Sequence, residues 1–419
     1  MKSDFLSSFL DSVSEIWPEV WDILYLFMPF WLPFFLIIIL WNFWLSYVRT
    51  DFANKQNYKL LEIKLPNEIK RSPLAMELFL NTLFQTGGEG TWYAKYVQGK
   101  SRPMFSLEIV SLEGQVKFFI WTRGLWKNLI ESQIYAQYPD IEIFEVQNYT
   151  SFVNYDPKSD VSLWGMEYKL TEKDFYPIKT YVDYGMNREG IKDEERIDPI
   201  TPIMEFLGSV EEGQQVWLQI VIKAHKKERR KALSWKERWE KKEWSKFENW
   251  RDEAKAEIKE KIEGYQLDKK DPVKGHRMLT KGETEIIAAI ERSVTKMSFD
   301  CNIRSIYLAE KDHFNLVNVM GLLGAFKQFN SLDLNGFGVA MVTDFDYPWQ
   351  DYKNIRKNAL KKAIFNRYKR REFSDDYSPF VLNTEELATI YHFPGGVAQT
   401  PTLSRLNAKK AEAPFNLPI

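Results

Sequence analysis

Cysteine and histidine are scarce in this chain of 419 residues, which contains one cysteine and four histidines. Because Cys301 is alone, an internal disulfide is excluded. No histidine lies near it in sequence to act as a base or a second metal ligand, so we expect an inert thiol at the start of a strand. The histidines show no metal-ligand spacing; they are His225, His276, His313 and His392. We therefore predict no metal site and no bound cofactor.

The sequence also lacks the common motifs of catalysis. It contains neither the G-x-x-x-x-G-K-[ST] loop that binds nucleotide phosphates nor the G-x-S-x-G elbow of serine hydrolases. The glycine-rich TGGEGT at 86–91 has no lysine and follows a predicted helix, which favours a helix stop. Asp344 and Asp346 lie just before a proline, and this pattern indicates a turn rather than a cation site. No catalytic residue is predicted, although an enzyme with a site assembled from distant residues stays open as an alternative.

An excess of one charge sign is missing as well. The chain has 57 Lys and Arg against 58 Asp and Glu, which gives a formal net charge of −1. This balance gives no reason to expect that the whole chain binds nucleic acid, so an electrostatic partner must be met by a local patch. The length suffices for two or three compact units that each have a hydrophobic core.

Charge is absent altogether from one long run, ILYLFMPFWLPFFLIIILWNFWLSYV at 23–48. A helix of this length spans about 39 Å, which exceeds the ~30 Å hydrocarbon layer of a bilayer. The run is longer than the apolar part of a cleaved signal peptide, and acidic residues precede it. We therefore predict a transmembrane helix at 23–48 that contacts the lipid bilayer. Aromatic residues near its ends are typical of membrane interfaces: Trp21, Tyr25, Trp41, Trp44 and Tyr47.

The charges that flank this run predict its orientation. Residues 1–22 carry Lys2 against five acidic residues, whereas Arg49, Lys55 and Lys59 follow the run with a single acidic residue among them. The positive-inside rule then predicts a single-pass protein of the inner (cytoplasmic) membrane, with residues 1–22 outside and the body in the cytoplasm. A cytoplasmic body also agrees with the lack of a disulfide.

Two cycles of alternating strand and helix patterns predict an α+β body. The first cycle lies at 56–150 and includes a strand in TWYAKYVQG at 91–99. The second lies at 160–330 and includes an extended segment in IKTYVDY at 178–184. Each cycle has the order of a ferredoxin-like sandwich, in which helices cover one face of a sheet. A helical tail at 331–419 is expected to follow these two repeats.

A charged arm at 226–270 interrupts the second cycle. Its apolar residues recur at spacings of three and four, which predicts an amphipathic helix or helical hairpin that projects from the sandwich. Exposed tryptophans on such a helix would leave a large apolar area uncovered, so either a partner or the domain itself must cover them. The candidate partner contacts in this arm are Trp235, Trp239, Trp244 and Trp250.

A strongly basic helix without an acidic residue is predicted at 353–371. Near the cytoplasmic leaflet, each basic side chain adds about 1 kcal/mol of attraction to anionic lipid. The same side chains could follow a nucleic-acid backbone, although direct nucleic-acid binding is the less favoured interpretation, or they could be the solvated side of a connector. The residues proposed to contact lipid or another polyanion are Lys357, Lys361, Lys362, Arg367, Lys369, Arg370 and Arg371.

The stretch FVLNTEELATIYHFPGG at 380–396 predicts a short helix at 384–393. Asn383 or Thr384 caps this helix, and Glu385 and Glu386 in its first turn are close to a capping-box pattern. Proline and glycine end it. Its apolar side is the third candidate contact for a partner, and it comprises Leu387, Ile390, Tyr391 and Phe393.

Together with TPTLSRLNAKKAEAPFNLPI at 400–419, this stretch resembles the link that precedes the motor core of conjugative type IV secretion ATPases, especially in an uncharacterised family from candidate-phylum bacteria. LPNEIKRSPLAMELFLNTLFQ and GLWKNLIESQIYAQYPDIEI are similar to that family too, so the resemblance spans 55–418. The sequence reaches Ile419 without a nucleotide site, and no catalytic residue carries over. The resemblance implies a membrane-anchored accessory region beside an ATPase that another chain or further sequence supplies.

These observations together predict a non-catalytic scaffold on the cytoplasmic face of the membrane that recruits or positions a secretion or DNA-transfer ATPase. Two alternatives stay open, namely a membrane-bound enzyme and a sensor or lipid-binding module with a ligand pocket in the sandwich. A homo-oligomer is also compatible with the sequence.

Overall fold

The computed structural model describes residues 2–66, 69, 71–187, 197–226, 229–232, 245–248, 250–263, 279–345, 347–373 and 379–395. The chain divides into two compact units. The helical unit comprises Met1–Gln56 with Gly87–Ser101, and the sheet unit comprises Asn57–Thr86 with Arg102–Ile419.

A single long helix, α1 (Lys2–Asn54), makes up most of the helical unit. It includes residues 2–22, which precede the predicted span, and it continues through Pro29 and Pro33. Among the described residues, one helical stretch is long and apolar enough to cross a membrane, namely Leu32–Asn54 with a mean hydropathy of 1.5. This stretch overlaps the predicted span and supports its existence.

The second helix of this unit was predicted as a strand. TWYAKYVQG contains α3 (Trp92–Tyr96), because the Thr91 side chain accepts a hydrogen bond from the backbone N–H of Ala94 at 3.2 Å and caps a helical turn. The aromatic and β-branched residues that suggested a strand over so few positions also fit a short helix.

The sheet unit is an α+β fold around a large antiparallel sheet of nine strands. The strands are β1 (Tyr58–Lys64), β2 (Met104–Leu112), β3 (Gln115–Arg123), β4 (Glu142–Val146), β5 (Val161–Leu170), β6 (Gln214–Ala224), β7 (Arg229–Ala232), β8 (Ser245–Glu248), β9 (Ser298–Glu310), β10 (Phe337–Val342) and β11 (Phe380–Asn383). The order of the strands in the sheet is β10-β5-β9-β6-β2-β3-β1-β4, and β11 pairs with β9 beside this path. Strands β7 and β8 form a separate two-stranded ribbon.

Helices cover both faces of this sheet. Along β9, Ile303 and Tyr307 face a main core, whereas Ile306 and Leu308 face a second core on the opposite side, as the period of two in a strand requires. The helices of the sheet unit are α2 (Pro73–Thr82), α4 (Lys127–Gln137), α5 (Thr201–Gly208), α6 (Trp250–Glu263), α7 (Lys281–Thr295), α8 (Leu316–Gly324), α9 (Ile355–Arg370) and α10 (Thr384–Ile390). In the second core the sheet packs against α9 through Ile364 and neighbouring residues.

Three expectations from the sequence need correction. The arm at 226–270 is not helical throughout, because β7 and β8 lie within it and only α6 is a described helix there. Within 178–184, residues 181–184 form turns, so the segment is not extended throughout. The described part of 331–419 is not a tail, because β10 and β11 belong to the sheet and α10 is buried.

The hairpin between β2 and β3 shows how local sequence fixes the register of the sheet. Its two turn residues, Glu113 and Gly114, have φ values of 53° and 82°. Two successive positive φ values are those of a type I′ turn, which matches the twist of an antiparallel pair. A Cβ on Gly114 would also lie 2.7 Å from the carbonyl oxygen of Val210. The second turn position therefore needs glycine for both its conformation and its space.

We expect Gly114→Ala to destabilise the sheet unit by about 1–3 kcal/mol, because it adds a strained φ and a backbone clash. The matched control is Gly282→Ala in the first turn of α7, where an added Cβ meets no atom within 4 Å. That change should be neutral or stabilising by up to about 1 kcal/mol. Urea unfolding of both variants in detergent measures the difference, and equal effects would contradict the account of this turn.

Candidate functional site

The most polar buried point of the sheet unit lies where the C-terminal end of α9 meets the sheet. Glu108 on β2 and Arg371 are almost completely buried. The Nε of Arg371 lies 2.9 Å from Oε1 of Glu108, and Nη2 lies 3.1 Å from Oε2, so the two groups form a bidentate pair. Such a pair is favourable in a protein interior only when further hydrogen bonds complete it.

Neighbouring side chains complete the hydrogen bonding of Glu108. Ser106 and Gln219 donate to Oε1 at 2.7 and 3.0 Å. Tyr149 donates to Oε2 at 2.7 Å, and its hydroxyl lies 2.8 Å from that of Tyr368 on α9. We call these six residues the Glu108 cluster; they are Ser106, Glu108, Tyr149, Gln219, Tyr368 and Arg371. The cluster joins strands from both halves of the sheet to one helix.

The end of α9 determines how Arg371 reaches this cluster. Arg371 follows the helix with φ 48° and ψ 41°, in the left-handed conformation, and its N–H closes the last turn onto Arg367 and Tyr368 carbonyls. Gly165 on β5 allows the close approach of the helix, since a Cβ there would lie 2.9 Å from Cδ1 of Ile364. The sequence therefore supplies both a helix stop and a gap in the sheet surface at the docking point.

The protonation states of the cluster indicate a structural role. Burial raises the pKa values of Tyr149 and Tyr368 well above their usual range, and the Glu108 charge acts in the same direction. Burial lowers the pKa of Arg371, but the charge and hydrogen bonds of Glu108, together with Tyr149 and Tyr368, outweigh it and raise that pKa. The two phenols are therefore neutral and the guanidinium charged at physiological pH. None of these three groups is poised to exchange a proton there.

A second buried cluster holds α10 in place. Lys296 lies 2.6 Å from Glu77 on α2 and 2.8 Å from Glu385 on α10. Asn383 caps α10 in a capping box with Glu386, as predicted from the sequence. Burial raises the pKa of Glu386 to about 8, although two backbone N–H donors act against this change. A carboxyl group with this pKa is a titratable part of the core near neutral pH.

Two histidine–aspartate contacts are the nearest approach to acid–base pairs in the described residues. Nδ1 of His225 lies 2.6 Å from Oδ1 of Asp300, whose other oxygen lies 3.4 Å from Arg102. Nε2 of buried His392 lies 2.9 Å from Asp198, while its Nδ1 lies 2.8 Å from the carbonyl oxygen of Ala388. Burial raises the pKa of Asp198, but His392 outweighs it and holds that pKa below its usual value. The His392 contact fastens the end of α10.

The C-terminal helix is not the exposed docking element that the sequence suggested. Its four proposed contact residues are 0–1% exposed and belong to the main core. Tyr391 and Phe393 pack edge-on against the ring of Phe118, at 5.7 and 5.4 Å between ring centroids. The amphipathic pattern was real, but its apolar side faces the protein's own sheet. The four residues are Leu387, Ile390, Tyr391 and Phe393.

Only one of the four arm tryptophans can be placed. Trp235, Trp239 and Trp244 lie outside the described residues. Trp250 begins α6, is 7% exposed and packs in a small core with Phe175 and other residues. For Trp250, the cover is therefore the domain itself, as one of the two interpretations of the arm expected.

The basic helix turns several of its charges inward. Arg371 is in the Glu108 cluster, and Arg367 lies 3.3 Å from Glu167 on β5. Lys357 pairs with Asp344 at 2.6 Å, and Lys369 donates to the carbonyl oxygen of Val153 at 3.1 Å. The side chain of Lys361 is half-buried, and burial lowers its pKa to about 8. Arg367 and Arg371 are therefore not free for a polyanion, which corrects that part of the prediction, whereas Lys357, Lys361 and Lys369 are only partly covered.

Two of the predicted basic residues and a third, Arg356, stay exposed on one side of α9. In the described part of the chain, Lys362 and Arg370 have no acidic partner. Positions 356, 359, 363, 366 and 370 share this side at spacings of three and four, with 362 beside them.

An exposed aromatic turn directly precedes α9 in the chain. The rings of Tyr347 and Trp349 stack with centroids 4.8 Å apart and planes at 15°. Trp349 is 78% exposed and Tyr352 74% exposed. The carboxylate of Asp351 accepts from the N–H groups of Arg356 and Lys357 at 2.8 and 2.7 Å and fixes the turn to the helix. We call the exposed set the aromatic–basic surface; it comprises Tyr347, Trp349, Tyr352, Arg356, Lys362 and Arg370.

The sequence interpretation missed the aromatic half of this surface. It treated TDFDYPW at 343–349 as a turn; of the described part, residues 344–345 are in no helix or strand and Pro348–Gln350 form one 3-10 turn. The available signal was the density of aromatic residues in YPWQDY at 347–352, immediately before a basic helix. Exposed aromatic and arginine side chains together are typical of contact surfaces.

We expect Glu108→Leu and Arg371→Met each to destabilise the sheet unit by about 3–5 kcal/mol, because each leaves a buried charge without its partner. The double variant should lose clearly less than the sum of the two. The exposed pair Asp344 and Lys357 is the control, and its cycle should show a coupling of about 0–1 kcal/mol. Additive losses in the Glu108 cycle, measured by urea unfolding, would contradict the clamp.

Glu386 should make stability depend on pH. Because its pKa in the folded state is raised to about 8, its contribution is fully present below the pKa of the unfolded chain and is lost as pH rises through 8. Stability should therefore fall between pH 5 and pH 8, by at most about 1.4 kcal/mol per pH unit from this group. Glu386→Gln should flatten that slope.

Urea unfolding at several pH values measures the slope. Glu283→Gln is the matched control, because it alters a capping box of the same type on the exposed start of α7. It should keep the wild-type slope. An unchanged slope in Glu386→Gln would show that other groups cause the pH dependence.

The comparisons with known proteins agree with one continuous domain after the apolar run. A family model described as a domain of unknown function, DUF8128, matches residues 50–405. No curated protein matches the chain. In the described residues, no group of three or more His, Cys, Asp or Glu side chains is arranged to hold a metal ion. The family description assigns no activity and no partner, so the relationship to secretion ATPases stays a prediction. Since the match covers most of its length, the chain belongs to the DUF8128 family.

Proposed function

We propose that this protein is a membrane-anchored, non-catalytic scaffold that positions a DNA-transfer-type ATPase at the cytoplasmic face. The observation that carries the proposal is the division of charge on α9. Its inward charges bind the sheet through Glu108 and Glu167, while Arg356, Lys362 and Arg370 remain outside. A helix held this firmly presents its exposed side as a rigid surface, which lowers the entropic cost of binding a partner.

The membrane part of the proposal rests on the apolar end of α1. Leu32–Asn54 has the length and hydropathy of a spanning helix. The excess of basic residues after the run supports a body in the cytoplasm and residues 1–22 outside. Attachment to the bilayer would raise the local concentration of any partner held there.

For the body, we propose two ferredoxin-like repeats fused edge to edge. In the first half the sheet order β4-β1-β3-β2 supports this, with α2 and α4 in the two crossovers. In the second half β10-β5-β9-β6 is the same order, with α5 and α8 in the equivalent places. Strands β2 and β6 pair antiparallel over the register Met104↔Lys223 to Leu112↔Gln215, which makes the sheet continuous.

The ATPase as partner rests on the resemblance of the sequence to the region that precedes such motors. The aromatic–basic surface adds the chemistry of the contact. Its exposed cations and stacked rings fit an acidic protein surface, where charge complementarity speeds association and aromatic and arginine side chains supply the binding energy. The contact is therefore assigned to this surface and not to α10.

Direct contact with single-stranded nucleic acid is a second candidate. The stacked pair Tyr347 and Trp349 next to exposed basic residues favours it, because bases stack on such rings while cations follow the backbone. Strong loss of binding with added salt is the property that distinguishes this candidate.

We expect Lys362→Glu/Arg370→Glu to weaken binding of a purified DNA-transfer ATPase by about tenfold, since the two reversals remove on the order of 1–2 kcal/mol. Lys255→Glu/Lys327→Glu is the control, as both lysines are exposed on the same unit. Co-sedimentation of the ATPase with vesicles that contain the full chain measures the effect. Equal binding by both double variants would refute the surface. A labelled oligonucleotide tests the second candidate. If Lys362→Glu/Arg370→Glu weakens oligonucleotide binding and the control variant does not, the result favours nucleic acid as the partner.

A further inference from the structure

The helical unit holds a second element beside the long helix, the segment Gly87–Ser101. It touches α1 at three levels. The indole Nε1 of Trp44 donates to the carbonyl oxygen of Tyr96 at 2.8 Å. The ring of Tyr96 lies 5.7 Å from that of Trp41. Gly99, with φ +64°, lies so close to the backbone of Val48 that a Cβ would overlap its carbonyl group.

These contacts place the segment along α1 near the end of its uncharged run. Tyr96 lies level with Trp41 and Trp44, whereas Gly99 has moved to the level of Val48. At 1.5 Å per residue, the step from Trp41 to Val48 is about 10 Å along the helix axis. The segment therefore reaches down to the level of Trp41 and returns towards the charged end of the helix.

The level of Trp41 is the expected depth of a membrane interface. The uncharged run is about 39 Å long and exceeds a ~30 Å hydrocarbon layer by about 9 Å, or roughly six residues. Counted from Ile23, where the uncharged run begins, a ~30 Å layer ends at about residue 43, close to Trp41 and Trp44. The apolar stretch Leu32–Asn54 then extends past this boundary to its charged end at Arg49 and Asp51. Tryptophan and tyrosine favour this depth.

The side of the segment that does not touch α1 carries aromatic residues. Trp92 is 70% exposed and Tyr93 51% exposed, with their rings edge to face at 6.1 Å. The Lys95 ammonium lies 5.4 Å from the centroid of the Tyr96 ring. Adjacent large aromatic rings are rarely left exposed to water. At a lipid interface, by contrast, a ring with an apolar body and a polar edge is favourable, and a nearby cation can face the headgroups.

We propose that Gly87–Ser101 is an interfacial membrane element, which inserts Trp92 and Tyr93 between the lipid headgroups of the leaflet where α1 emerges. The partner is the bilayer itself, and the contact is continuous with the lipid-facing side of α1. The inference rests on the proposed span. With two points of attachment, the depth and tilt of the helix are fixed more tightly than a lone span would allow.

The test uses depth-dependent fluorescence quenching on the full chain in phosphatidylcholine vesicles that contain a nitroxide-labelled lipid. A thiol-reactive fluorophore is placed at Gly90→Cys, where an added Cβ meets no atom within 4 Å and Trp92 is retained. Cys301 is buried and burial raises its thiol pKa well above the usual value, so it should not react. Phe43→Cys marks the interface and Lys55→Cys the aqueous end of α1.

We expect quenching at position 90 to match that at position 43 within about twofold and to exceed that at position 55 about fivefold, because position 55 lies roughly 18 Å further along the helix. Adding Trp92→Ser/Tyr93→Ser to Gly90→Cys should lower quenching towards the level at position 55. Quenching at position 90 no greater than at position 55, with position 43 quenched, would overturn this inference alone. If position 43 is not quenched either, the membrane span itself fails.

Discussion

The bidentate pair of Glu108 and Arg371 is the interaction on which the sheet unit depends. It joins residues 263 positions apart in sequence, one on a central strand and one at the end of α9. A buried charge without its partner is destabilising by several kcal/mol, so the helix cannot leave the sheet without a large loss of free energy. Because Tyr149, Gln219 and Ser106 all donate to the same carboxylate, the pair also holds β2, β6 and the segment after β4 in one arrangement. The face of the sheet under α9 is thereby closed.

The opposite face is closed by the same physical means. Glu385 and Glu386 on α10 would be unfavourable in a core if they were not met there by Lys296 and by backbone N–H groups. Late segments of the chain are thus tied into a sheet whose central strands come from both halves. The family match over 50–405 agrees with this, since it includes α9 and α10 with the sheet as one domain. Most of the buried polar groups described above, in the Glu108 cluster and around α10, hold helices against the sheet.

Much of the fold could be predicted from sequence, because the signals were local. Strand patterns predicted β1, β2 and β3, and a capped helix start at Asn383 or Thr384 was predicted from the residue types there. The candidate site could not be predicted to the same extent. An amphipathic pattern shows that one side of a helix is buried, but not whether the same chain or a partner buries it. For this reason α10 was predicted to contact a partner, although it packs against the protein's own sheet. In TWYAKYVQG, a single capping threonine decided for a helix where the aromatic and β-branched residues favoured a strand.

Charge counting along a sequence has the same limit as hydrophobic patterning. The basic helix was treated as a uniform polycation, yet the structure separates its charges into those that bind the sheet and those that face outwards. Arg367 and Arg371 have acidic partners on β5 and β2, which no sequence spacing indicates. The exposed charges owe their fixed positions to the buried ones, since a helix held only by its apolar side could slide or roll on the sheet. A surface that must present cations and rings in one geometry therefore requires the buried pairs beneath it, and this requirement connects the Glu108 cluster to the proposed scaffold function.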